Sequence, residues 1–162
     1  MRPSHTFFIV SALLFVCGVG FVVVAARAPR MTPSPVDVPL APVASVRHIM
    51  RGIVDPAATI VFGAVSTTVT AAGTEEKAPH TAEEWDVVVN SAAALAEAGN
   101  MLRMGSRAVD RGDWLVMSRK LTDAGTAALK AAEARDAKGV FASGEAIYQA
   151  CDSCHSKYER TQ

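Results

Sequence analysis

Aromatic side chains make up only 6% of this 162-residue chain, and cysteine occurs three times. One of the three, Cys17, sits inside an apolar N-terminal run, so no framework of disulfides holds the domain together, and its core and any cofactor must do so. A basic excess is also missing. Formal net charge is zero, and Arg2, Arg27 and Arg30 all flank the N-terminal run; without those three, 13 basic residues face 16 acidic ones, a net of −3. A mildly acidic domain with no basic stripe is a poor ligand for nucleic acid, and none is expected as a partner. Beyond the leader there is no β-branched alternation, no internal repeat and no stretch expected to form a strand. Abundant alanine favours helices instead, and the class is all-α.

From Phe7 to Ala26 every residue is uncharged and only Ser11 is overtly polar. Those 20 residues exceed the usual apolar region of a cleaved signal peptide and match the length of a helix that spans a bilayer. Residues 1–26 therefore read as a signal-anchor, with a signal peptide cleaved after Ala26 or Ala28 as the alternative. Lipidation of Cys17 is disfavoured by the bulky Val16 before it. Residues 27–43 carry five prolines, which forbid a helix and favour extended chain, so this stretch reads as a tether. Residues 44–162 form the domain.

Within the domain, Val46, Ile49, Met50, Ile53, Ala57, Ile60 and Ala64 recur at helical steps and place a first helix from about Ser45. Pro56 interrupts it and predicts a bend around Gly52 to Pro56. Residues 66–80, rich in threonine, read as a polar loop. Thr81 with Glu84 forms a capping box that starts a second helix, its stripe running Trp85, Val88, Ala92, Leu95, Gly99 and Leu102. Asp113 is the expected N-cap of a third helix, with Trp114, Met117, Leu121, Ala124, Ala128 and Ala131 inward. A fourth starts near Ala137 and carries Val140, Gly144, Ile147, Cys151 and Tyr158. Short connections make the last three antiparallel neighbours, so the expected architecture is an up-down-up-down four-helix bundle. The inward alanines and glycines imply either very close helix packing or space left for a large cofactor.

The chemistry is concentrated in Cys151-Asp152-Ser153-Cys154-His155. Cys-x-x-Cys-His is the attachment signature of haem c: two thiols on one side of a helical turn can each add to a vinyl group of the porphyrin, and the adjacent imidazole binds iron. A zinc site needs further paired ligands, and His5, His48 and His80 are scattered. A thioredoxin-like pair wants a βαβ context and a helix start, not a late helical position. The expected cofactor is one covalently bound haem c, with Cys151 and Cys154 as thioether anchors and His155 as proximal iron ligand. Because bacterial haem c is attached outside the cytoplasmic membrane, the domain is placed in the periplasm, anchored to the inner membrane.

A C-terminal Cys-x-x-Cys-His on the last of four helices, with Tyr158 three residues after His155, resembles the cytochrome c-prime family. The segment Arg47-His48-Ile49-Met50-Arg51-Gly52-Ile53 looks like that family's distal-side segment. The resemblance covers residues 45–162 in architecture and those two segments in motif. It implies a four-helix bundle around one haem and dimers in many members. It also implies a division between five-coordinate members that bind small gases and six-coordinate members that carry electrons with a methionine ligand from the first helix. Met50 matches that methionine and is the candidate distal ligand, with His48 as a weaker rival. The anchor, the tether, Pro56 and the loop after it depart from the pattern and bear on dimerisation. The expectation is electron transfer with redox partner proteins; the alternative is a five-coordinate haem protein that binds nitric oxide or carbon monoxide. Enzymatic activity is not expected, since Arg47, His48 and Arg51 suit a solvated helix edge or pairing with haem carboxylates.

Overall fold

A computed structural model describes Ser11, residues 13–15 and residues 41–159. The chain divides into two units, Met1–Val38 and Pro39–Gln162. In the first, Ser11 and residues 13–15 are helical, and the remainder of the expected signal-anchor and most of the tether lie outside the described residues. Among the described residues no helix is long and apolar enough to cross a membrane.

The second unit is mostly helical. Its elements are α1 (Val46–Ile49), a π-helical turn (Met50–Val54), α2 (Asp55–Ala64), strands β1 (Ser66–Thr70) and β2 (Gly73–Lys77), α3 (Ala82–Leu102), a 3-10 turn (Gly105–Arg107), α4 (Asp113–Glu133) and α5 (Ala137–Tyr158). α3 packs on α4, α4 on α5, and α2 on α3 and more lightly on α5.

Ser45 caps α1 by accepting from the His48 amide at 3.3 Å. The break expected near Pro56 is a π turn, in which the Asp55 amide donates five residues back to the Met50 carbonyl. Pro56 then occupies the first turn of α2, where its missing N–H costs least; within a continuous α-helix its ring would strike the carbonyl four residues earlier. The wide turn carries an extra residue, so Ile49 and Val54 fall on one buried face, which continues through Ala57, Val61 and Val65. The expected stripe needs correction beyond that point, since Ile60 is exposed.

The polar loop expected over 66–80 contains an antiparallel hairpin, with Ser66 opposite Lys77 and Thr70 opposite Gly73. The run Ser-Thr-Thr-Val-Thr is β-prone, and Gly73 supplies the positive φ (139°) that the turn requires. Both strands are fully exposed. Lys77 Nζ ties the hairpin to the end of α2, donating to the Gly63 carbonyl at 2.7 Å.

The start of α3 matches its capping box. The Glu84 amide donates to Thr81 Oγ1 at 3.1 Å, and the Glu84 carboxylate accepts from the His80 and Thr81 amides at 2.6 and 3.1 Å. Those donors hold the Glu84 carboxyl below the usual range. All six stripe positions from Trp85 to Leu102 are buried. Leu95 and Leu102 are enclosed on every side, each worth about 1.5–3 kcal/mol in apolar burial.

The expected N-cap of α4, Asp113, is corrected to Gly112, which has no side chain to accept from the helix amides. Asp113 lies in the first helical turn, and Asp110 does the capping: its Oδ1 accepts from the Gly112 amide at 2.7 Å and the Trp114 amide at 3.1 Å. The inward glycines decide between close packing and cofactor space. A Cβ on Gly125 would lie 2.5 Å from the Ala96 nitrogen, and one on Gly99 would lie 2.7 Å from the Ser118 carbonyl oxygen. The small residues there let α3 and α4 meet backbone to backbone, and the space lies elsewhere.

Candidate functional site

The chain reverses into α5 at Arg135, which takes a left-handed conformation (φ 53°) usually given to glycine. Its amide donates to the Ala132 carbonyl and the Asp136 amide to the Ala131 carbonyl, both at 2.9 Å, closing the end of α4 in a Schellman pattern. α5 then runs back along α4, burying Val140, Ile147 and Ala150. Its last two turns carry Cys151, Cys154 and His155, spaced i, i+3, i+4 and so on one face.

A polar latch holds that end of α5 to the start of α4. The Tyr158 hydroxyl donates to Asp110 Oδ2, and Lys157 Nζ pairs with Asp113 Oδ2 at 2.5 Å. The Tyr158 ring meets Trp114 edge to face at 5.1 Å, and Trp114 Nε1 donates to the Leu102 carbonyl at 2.8 Å. That hydrogen bond holds the Asp110 carboxyl below its usual range and the Tyr158 phenol above its own.

Beside these turns lies a cavity of about 260 Å³ whose walls come from the π turn, α2, α3, α4 and α5. Cys151, Cys154 and His155 line it on one side, and Met50 lines it from the π turn. Val54, Ala58, Phe62, Leu102, Met117 and Leu121 make the rest of the wall mostly apolar. Thus the four residues singled out by motif and resemblance share one cavity, although Met50 is about a hundred residues from the other three. His48 is not among the lining residues; it is exposed, with Nδ1 2.9 Å from Ser45 Oγ. Arg47 and Arg51 are likewise exposed and outside the lining.

Both thiols are free and partly buried. Burial pushes each up from the ordinary thiol range, and Cys151 adds to the effect at Cys154. The raised thiols keep the S–H whose sulfur and hydrogen would both add to a double bond. His155 is half-exposed, its Nδ1 3.2 Å from Glu159 Oε2.

Two lining residues carried no readable signal in the sequence. Asp55 follows the π turn directly. Ser118 is buried, and its Oγ has no hydrogen-bond partner among the described residues. A buried hydroxyl without a partner costs about 1–3 kcal/mol, so its presence in a cavity wall suits a site that takes an occupant. An apolar chamber with two protonated thiols and an imidazole on one wall and a thioether on another fits haem c. No protein-family model matches the chain, and neither a curated protein nor a solved structure does.

Proposed function

We propose that the chain is a monohaem c-type cytochrome that transfers electrons in the bacterial periplasm, its N-terminal segment anchoring it to the inner membrane. The observation that carries this reading is that Cys151, Cys154, His155 and Met50 line one mostly apolar cavity. In this reading the helices close into an antiparallel four-helix bundle, the α1–π–α2 segment acting as one long helix beside α3, α4 and α5. Haem would supply an iron that cycles between two oxidation states. Cys151 and Cys154 would hold the haem by adding across its vinyl groups, sulfur to one carbon and hydrogen to the other, which would consume no oxidant. His155 on α5 would hold the iron, and Met50 would offer a soft sulfur from the π turn, a pairing that would raise the potential relative to two histidines. The mostly apolar walls offer few polar groups for chemistry on a substrate, which favours simple electron exchange with redox partner proteins. Self-association as a homodimer belongs to the same reading.

Expression with a haem-attachment system tests it. Denatured protein should retain haem, Cys151→Ala and Cys154→Ala should each weaken retention, and release of all haem by acid and ketone would overturn the reading. The unpaired Ser118 hydroxyl favours a second reading, binding of nitric oxide or carbon monoxide at an open iron position. One optical spectrum separates the two. A low-spin ferric form with a far-red methionine-sulfur band that Met50→Ala abolishes would assign the sulfur to Met50 rather than Met117, and high-spin forms in both oxidation states select the gas-binding alternative.

A further inference from the structure

We infer that Phe62 is the gate between the chamber and an outer groove, and that it selects what passes: small, neutral, apolar molecules. The inference deepens the gas-binding reading and rests on it for the identity of what is admitted. Phe62 lines the chamber and also a separate groove of about 290 Å³. On α5 the groove is walled by Phe141, Gly144 and Tyr148, and the chamber by Cys151, Cys154 and His155. Those residues follow one another at three- and four-residue steps, so groove and chamber lie end to end along one face of α5. Phe62, from α2, stands at the boundary with its ring beside Gly144.

The ring is free to move. It is 44% exposed, unlike the enclosed Leu102 of the chamber wall, and exposed side chains change rotamer within nanoseconds. A Cβ on Gly144 would meet ring carbons Cδ1 and Cε1 at 3.7 Å. That is ordinary contact, so a methyl group fits there without strain and would hold the ring in place. Glu145 is the one charged residue among the described groove lining, and Gln149 Nε2 already donates to it at 2.6 Å. The other lining side chains are apolar apart from the Tyr148 hydroxyl, so an ion would lose its water on this route without compensation. A haem held by Cys151, Cys154 and His155 would cover their wall of the chamber, and the groove beyond Phe62 would remain open.

The full-length protein without haem gives the first test. N-ethylmaleimide, small and neutral, should label Cys151 faster in Phe62→Ala, because Cys151 lies on the groove side of the chamber. The ratio of Cys151 to Cys154 labelling, read by tandem mass spectrometry, should rise severalfold, and the bulkier N-phenylmaleimide should gain more. Gly144→Ala should lower the ratio with no loss of melting temperature. Equal acceleration of both thiols in Phe62→Ala would be general loosening and overturns the inference, as does an unchanged ratio in either variant. In the haem-loaded protein, Phe62→Ala should speed carbon monoxide association and dissociation by the same factor and leave affinity unchanged. A changed affinity with an unchanged association rate would make Phe62 a ligand contact and overturns the gate. A protein that binds no carbon monoxide but shows the selective Cys151 labelling sinks the gas-binding reading and leaves the gate standing.

Discussion

The α3–α4 seam and the cavity beside α5 are built from the same alanine-rich helices, yet they pack in opposite ways. At the seam, Gly99 and Gly125 bring two backbones so close that not even a methyl group fits between them. At the cavity, larger side chains from five elements leave about 260 Å³ unfilled, and a buried hydroxyl goes without a partner. A well-packed interior tolerates neither voids nor unpaired polar groups. The contrast therefore separates a closely packed scaffold from a region with room for an occupant.

The largest effect is expected at the seam. Gly125→Ala gains about 1 kcal/mol of helix propensity, but its Cβ would meet the Ala96 backbone at 2.5 Å, and backbone cannot turn aside as a side chain can. Overpacking of this kind costs about 1–3 kcal/mol net, visible as a lower urea midpoint with an unchanged slope. A midpoint equal to wild type would mean the seam is looser than its backbone distances and would remove the contrast.

Much of the scaffold was legible in the sequence, because it depends on short-range rules. Thr81 and Glu84 announced α3 and the Trp85-to-Leu102 stripe gave its buried face, while the thiol and imidazole spacing named one wall of the cavity. What escaped has a physical cause in each case. A five-residue turn at Met50–Val54 is invisible to a 3.6-residue period, so the stripe after it was placed on Ile60 rather than Val61. The hairpin turns at Ala71–Ala72 with none of the usual Asn-Gly or Asp-Gly signal. Asp110 and Asp113 both precede Trp114, and only the fold shows that the first caps α4 while the second reaches Lys157. Arg135 holds a left-handed position where glycine would have marked the helix end. Ser118 was unreadable because a missing hydrogen bond leaves no trace in sequence.

A smaller effect, opposite in sign, is expected in the cavity wall. Ser118→Ala deletes an unpaired buried oxygen and should stabilise the protein without haem by about 1 kcal/mol, since the desolvation penalty goes and no bond is lost. With haem bound the gain should shrink if the occupant, or a ligand on its iron, supplies the hydroxyl with a partner. Paired melts of both proteins, with and without haem, read the difference. An equal gain in both states would show that the hydroxyl is a packing defect with no bearing on the occupant, and would take away the support it lends to gas binding.

The smallest effect is expected where the two regions are fastened together, at the Tyr158–Asp110 latch, because it is a single hydrogen bond between groups only partly withdrawn from solvent. Tyr158→Phe removes one donor while keeping the ring against Trp114. Its signature is the pH profile rather than the size of the loss. Asp110 is held below the usual carboxylate range, so its contribution is present above that range and fades as pH falls through the lowered value. Tyr158 is raised above the ordinary phenol value of about 10, so its contribution is present below that value and fades as pH climbs beyond it. Wild type should therefore exceed Tyr158→Phe in melting temperature across the neutral range, and the two should converge in acid and again in strong alkali. A gap constant from acid to alkali would assign the loss to packing of the ring edge, and the hydrogen bond would then play no part in fixing the last turn of α5 to α4.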